Sequence, residues 1–208
     1  YIQNHLAVAI QEKAIEAWFQ PLVGADSGRC VAVEVLARWH DPAMGWIDPD
    51  TFIPMAESLG LIQQLGSQVW LAALEAASAW RSQGHDLLLS VNISKRQLFH
   101  DGFTHRLLDD LERYGMTPDS IILEVTESLA LLDVENAVER LPELKRAGFR
   151  LAIDDFGTGY SSLSQLHEMP VDELKIDISF VRRLDDPRGL SMVQAIISLA
   201  KTLGLRTI

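Results

Sequence analysis

Carboxylates at the ends of apolar strands are the chemistry this sequence offers first. The stretch RLAIDDFGTGYSSL, residues 150–163, opens as an apolar strand over Leu151–Ile153 and then presents Asp154 and Asp155 side by side. A glycine-rich turn follows, and glycine lets a backbone bend where a side chain would clash. Four other strands carry polar groups in the same way: Glu34 and Arg38 in VAVEVLARW, Asn92 closing DLLLSVN, Glu124 then Glu127 in SIILEVTE, and Lys175 and Asp177 in ELKID. A carboxylate inside a run such as ILEV costs free energy unless a cation or hydrogen bonds compensate it. One such residue reads as a structural ion pair. Five successive strands doing the same read as a site.

Glu34, Asn92, Glu124, Asp154 and Asp155 offer only oxygen. Hard oxygen donors without His or Cys suit Mg²⁺ or Mn²⁺ better than Zn²⁺. Two ions sharing the carboxylate of Asp154 would make the two-metal arrangement that hydrolyses phosphoesters. Lys175 could then orient or deprotonate an attacking water, or stabilise developing charge. Its plainer reading is an ion pair with Asp177 or Asp155. Strand alternation puts Glu34 on one face with Leu36 and Arg38, and Glu124 on one face with Thr126. The 6 histidines show no metal-ligand spacing and read as surface. The 5 tryptophans read as core or rim packing. Lys145-Arg146 and Arg182-Arg183 read as solvated charge pairs, and no Ser-His-Asp or Cys-His arrangement is apparent.

These side chains need strands to carry them. Apolar spacing predicts a helix over Leu6–Trp18, then a hairpin of strands Phe19–Val23 and Val31–Trp39 around the turn GADSG, so the first strands are antiparallel. Pro42, Gly45 and Pro49 punctuate a loop, with Asp50 or Thr51 as the cap of the next helix. From there helices at 51–59, 62–83, 103–114, 133–147, 161–167 and 189–203 alternate with strands at 86–93, 120–126, 149–155 and 173–177, with a further strand beginning at Leu205. Asp133 is the candidate cap of the 133–147 helix. Alternation of this kind implies parallel βαβ units. The expected fold is α/β, a (β/α)8 barrel with an antiparallel first strand, cut short near its seventh strand. An open doubly wound sheet is the alternative.

Composition narrows the function classes. The 208 residues, 48% hydrophobic, suit one domain over 1–208 with a large core. A net charge of −11 argues against polymer DNA or RNA as partner. Divalent cations would still let an acidic chain act on a phosphate ester. A single cysteine, Cys30, forms no intrachain disulfide and fits a reducing compartment. No apolar run approaches the roughly 20 residues of a membrane span. The opening YIQNHLAVAIQEKAIEAWF does not read as a signal peptide.

The ordered motifs EVLARW at 34–39, FIPMAE at 52–57, SVNIS at 90–94, LEVTES at 123–128, DDFGTGYSSL at 154–163 and LKID at 174–177 resemble the EAL-domain family of bacterial cyclic di-GMP phosphodiesterases. The resemblance spans nearly the whole chain from Phe19-Gln20-Pro21 onward. It implies a TIM-like barrel that hydrolyses cyclic di-GMP to linear pGpG with Mg²⁺ or Mn²⁺. Glu34, Asn92, Glu124 and Asp154 resemble the ligands of the first metal, and Asp154 and Asp155 those serving the second. Lys175 resembles the lysine that contacts the attacking water. Glu127 resembles the glutamate that steadies the DDFGTGYSS loop, which in this family couples the metal site to dimerisation. Gln20, Leu36 and Arg38 resemble substrate contacts, Arg38 at a phosphate. The resemblance further implies a cytoplasmic domain, a homodimer through the barrel rim near that loop, and fusion to sensor or GGDEF domains in a parent protein that can be membrane-anchored. Val35 stands where the signature has alanine, on the strand face turned away from the site. The family continues past the seventh strand with a further metal-site glutamate, a glutamine and an eighth strand, and none of these follows Ile208. The competing reading is a non-catalytic cyclic di-GMP receptor.

Overall fold

The structure, a computed structural model, describes residues 1–132, 134–159 and 163–208, with the side chains of 131–132, 134–138 and 163–165 outside the description. The expected cap at Asp133 and the YSS portion of the loop motif therefore lie outside the described residues. The chain forms two compact units, Tyr1–Ile121 and Ile122–Ile208.

In the first unit, α1 (Ile2–Gln11) buries Leu6, Ala9 and Ile10. It ends well before Trp18. Lys13 takes a left-handed φ of 55°, and the chain straightens into β1 (Ile15–Val23). The spacing Leu6, Ile10, Ala14, Trp18 mimics a helical face, but pairing with β2 (Cys30–Asp41) claims the last residues. The pair is antiparallel, from Ile15 opposite Trp39 to Val23 opposite Cys30. β2 then turns back into β3 (Gly45–Ile47), a strand where a loop was expected. The turn closes because the buried Asp41 carboxylate accepts the N–H groups of Ala43 and Met44 at 2.8 and 2.9 Å. Helix α2 (Pro49–Ser58) is capped by Asp48, not by Asp50 or Thr51, with Pro49 at its first position. Helix α3 (Ile62–Ser82) packs on β1, where Phe19 meets Trp80 at 4.8 Å. β4 (Leu88–Asn92) runs parallel to β2, with Ser90 beside Glu34. Helix α4 (Lys95–Leu98) follows Asn92 at once, started by a capping box between Ser94 and Gln97. Helix α5 (Phe103–Arg113) completes the unit.

The second unit repeats strand and helix: β5 (Ile121–Thr126), α6 (Glu127–Leu132), α7 (Val134–Arg146), β6 (Arg150–Phe156), α8 (Leu163–Glu168), β7 (Glu173–Ile176), α9 (Ile178–Val181), α10 (Pro187–Thr202) and β8 (Arg206–Thr207). Its strands are all parallel. Ile122, Leu123, Val125, Leu151, Ala152, Ile153 and Leu174 are buried, as strands covered on both faces require. Lys145 does not form a solvated pair with Arg146. Its ammonium reaches Asp172 at 2.8 Å, and Asp172 also accepts the Leu151 N–H at 2.8 Å, tying α7 and β6 to the segment before β7. Among the described residues, no helix is long and apolar enough to cross a membrane.

Glu173 is buried on β7 and pairs with Arg206 of β8. Burial outweighs the guanidinium and pushes its carboxyl above the ordinary 4.5. The folded state therefore holds this proton more tightly than the unfolded chain. The resulting stability is fully present below the ordinary carboxylate range and fades as pH rises through the raised value. Glu173→Gln should flatten this part of the pH dependence. Urea unfolding at pH 4.5 and pH 7 should show a smaller loss of stability on raising the pH than in the parent chain; an equal loss would place the raised group elsewhere.

Candidate active site

The first unit sets its polar residues on one face of a hairpin. In the β1–β2 register, Gln20 lies opposite Glu34, Trp18 opposite Leu36, and Glu16 opposite Arg38. Directly opposed side chains project from the same face of an antiparallel pair. Glu34, Leu36 and Arg38 therefore share their face with Gln20, as alternation predicted, and Val35 is buried on the other side. Asn92, at the carboxyl end of β4, donates its amide N–H to Glu34 Oε1 at 3.1 Å. That contact joins two residues singled out from distant stretches of sequence. The guanidinium of Arg38 donates to the Ala37 carbonyl at 3.0 Å.

The second unit gathers the rest. Glu124 sits in mid-strand on β5 with 0% exposure. Its charge is answered by Lys175 on β7, whose Nζ donates to Glu124 Oε2 at 2.7 Å and lies 3.2 Å from Asp154 Oδ1. The ion pair of Lys175 thus takes in Glu124 and Asp154, partners that the sequence reading did not name. A cation held between two carboxylates shows what this part of the strand ends attracts. Glu124 and Asp154 are hard oxygen donors that could also hold a divalent metal.

Asp155 breaks from the strand. Its φ of 54° is left-handed, a region that aspartate tolerates better than most residues. Its N–H donates to the Asp154 carboxylate at 3.0 Å, and its carbonyl accepts the Thr158 hydroxyl at 2.9 Å. This turn sends the two aspartates in different directions. Asp177 caps α9 by accepting the Ser179 N–H at 2.9 Å. The hydrogen bonds it receives, that from the Ser179 side chain foremost, hold its carboxyl below the ordinary range.

Glu127, at the β5–α6 junction, is 3% exposed. Its Oε2 accepts the backbone N–H groups of Gly157 at 2.8 Å and Gly159 at 3.2 Å. Space favours glycine at both positions, most strongly at 157. A Cβ on Gly157 would sit 2.6 Å from the Phe180 ring, at a φ of 102°, and a Cβ on Gly159 would sit 3.0 Å from Glu127 Oε1. Glu127 is thus bonded directly to the backbone of the glycine turn.

Reading the sequence missed three residues on the hairpin face. Glu16 and Trp18 were placed on a helix and Trp46 in a loop. Carrying the strand alternation back from Gln20 through Trp18 to Glu16 would have found two of them. All 6 histidines are exposed, as expected.

The EAL domain family profile matches residues 3–208. MucR of Pseudomonas aeruginosa, a bifunctional diguanylate cyclase/cyclic di-GMP phosphodiesterase, is 39% identical over 207 residues, covering 99% of this chain and 30% of MucR. The oxygen sensor protein DosP of Escherichia coli is 37% identical over 205 residues, covering 98% of this chain and 26% of DosP. The solved PaMucR phosphodiesterase in complex with c-di-GMP superposes with a TM-score of 0.94 at 38% identity, covering 99% of this chain and 84% of that one. The chain thus spans about a third or less of the length of the curated relatives it matches.

The anchoring of the glycine loop by one buried carboxylate is directly testable. Glu127→Ala should leave two backbone N–H groups without their charged acceptor, costing about 1–3 kcal/mol. Amide hydrogen exchange at Gly157 and Gly159 should accelerate more than exchange in β5 and β6. Unchanged protection at both glycines would mean the loop is held by other contacts.

Proposed function

This chain belongs to the EAL domain family, a family of TIM-like barrels, and from that premise we propose that it is a divalent-metal-dependent phosphodiesterase that hydrolyses cyclic di-GMP to linear pGpG. The observation that carries the reading is the pairing of Lys175 with the buried Glu124 and with Asp154. A buried acid beside a donor cation at the strand ends is the kind of group phosphodiester hydrolysis uses.

We assign Glu34, Asn92, Glu124, Asp154 and Asp155 as the metal ligands, with Asp154 and Asp155 serving the second of two ions. Their donor set, all oxygen, fits Mg²⁺ or Mn²⁺. When bound, such ions supply Lewis-acid polarisation of the scissile phosphate. The chain's own groups do the remainder. Lys175, its charge balanced by two carboxylates, acts as a hydrogen-bond donor that orients the attacking water and stabilises charge on the phosphoryl oxygens. Arg38 binds a phosphate through its planar fork. Leu36 and Gln20 contact the nucleotide from the same hairpin face. Glu127 acts at one remove, by holding the loop that carries Asp155. The same reading places the domain in the cytoplasm, pairs it as a homodimer near the DDFGTGYSS loop, and joins it to sensor or GGDEF domains. The relatives in which a matching stretch is about a third of the protein support the last of these.

Turnover of cyclic di-GMP by the purified chain with Mg²⁺ or Mn²⁺, followed by chromatography of the product, tests the proposal. pGpG should form, and EDTA should stop it. Glu34→Ala and Asp154→Ala should each lower kcat by at least about a thousandfold with an unchanged far-UV spectrum, the scale of losing a charge-stabilising group. Full activity in either variant would sink the metal assignment. Binding of cyclic di-GMP without turnover under any metal would make the chain a receptor.

A further inference from the structure

Two tryptophans stand open on the hairpin face that carries Leu36 and Arg38. Trp18 is 47% exposed and Trp46 57%, while Trp39 and Trp70 are buried at 1% and 5%. The register accounts for their position. Trp18 is opposite Leu36 on the β1 side of β2, and Trp46 is opposite His40 on the β3 side. His40 follows Glu34, Leu36 and Arg38 in alternation, so all of these side chains project from one face. Phe19, on the other face, packs against Trp80.

The exposed rings are held in place. Trp18 and Trp46 meet edge to face with centroids 5.1 Å apart, and Trp46 meets His40 in the same manner at 4.9 Å. The Trp18 indole N–H donates to Glu16 Oε2 at 3.0 Å, which fixes the ring and the carboxylate together. Glu16 in turn lies opposite Arg38. Exposed indoles kept in a fixed arrangement beside a cation and a carboxylate make a surface that suits a planar aromatic ligand with hydrogen-bond donors on its edge.

Building on the phosphodiesterase reading, we propose that Trp18 and Trp46, their rings 75° apart, form an aromatic platform that holds one guanine base of the cyclic dinucleotide, stacked on one ring and bordered by the other, and that Glu16 reads that base. Guanine presents N1–H and N2–H donors on its Watson–Crick edge, and a carboxylate accepts both. Adenine presents an acceptor at N1, which a carboxylate repels. Arg38, across the strand from Glu16, takes the adjoining phosphate, so base and phosphate are read by neighbouring residues. Trp18, Trp46 and Glu16 are then specificity-determining residues, separate from the metal ligands.

Titration of the EDTA-treated chain with cyclic di-GMP, followed by tryptophan fluorescence and by calorimetry, tests this without turnover. The parent chain should bind with quenching. Trp18→Ala and Trp46→Ala should each weaken binding about tenfold or more, the scale of one lost base–aromatic stack. Trp18→Phe should restore most of the affinity, and Trp18→Val, which favours the strand but has no ring, should not. With metal present, KM should rise in the ring-less variants while kcat stays within about twofold. Glu16→Gln should narrow the preference for cyclic di-GMP over cyclic di-AMP about tenfold. Parent-like affinity in the Trp18→Val and Trp46→Ala variants, with an active parent, overturns the platform and leaves the phosphodiesterase reading standing. A parent chain that neither binds nor hydrolyses cyclic di-GMP overturns both.

Discussion

Glu124 is a carboxyl group with no surface open to water, and the second unit is built around answering it. The answer comes from Lys175, two strands away, with Asp154 on the strand between them sharing the same ammonium. The contact requires β5, β6 and β7 to stay in register, since a one-residue slip would turn each side chain to the opposite face. The parallel ladder supplies that register through Glu124 beside Ala152 and Ala152 beside Glu173. Such a pair is a poor source of net stability, because desolvation offsets most of the Coulombic gain. Stranding one partner would cost several kcal/mol. The arrangement is therefore better understood as something the apolar strands pay to keep than as what holds them together.

The first unit solves a different problem, which is how to bring many polar groups to one place with little chain. An antiparallel pair does it directly. Glu16, Trp18 and Gln20 come from one strand, Glu34, Leu36, Arg38 and His40 from its neighbour, and Trp46 from the short return beyond Asp41. A parallel neighbour would have needed a crossover helix to deliver a comparable set. The opposite face stays apolar and packs on α3 and α2, where Phe19 meets Trp80 and Trp39 meets Phe52. One hairpin thus separates core from site by strand alternation alone.

The strands that carry the acids were legible because an acid amid Val, Leu and Ile is conspicuous and because period-2 alternation assigns a face. Glu34 with Leu36 and Arg38 needed nothing more. The partner of Lys175 was not legible, since several carboxylates compete in sequence and only strand order decides among them. The helix expected through Trp18 failed for a related reason. Spacing of four residues between apolar side chains suits a helix, yet cross-strand pairing with Trp39 through Leu36 overrode it at Ile15 through Trp18. β3 was missed because Pro42 and Gly45 mark a turn without revealing that Asp41 closes it. The burial of Glu173 was equally hidden, because its neighbours in ELKID do not tell which side of β7 is enclosed.

Among the described residues, Glu127 grips its loop by main-chain amides. An anchor of that kind is blind to side-chain identity, apart from the strain a Cβ would meet at position 157 and the tight fit it would meet at 159. Thr158, between them, is exposed and, among the described residues, bonded to the carbonyl of Asp155. Mutational drift at that position can therefore proceed without loosening the anchor, while Gly157 and, less strictly, Gly159 are held to a small residue. The loop is evolvable in the middle and frozen at its edges, which gives selection a place to alter what the loop touches without rebuilding what holds it.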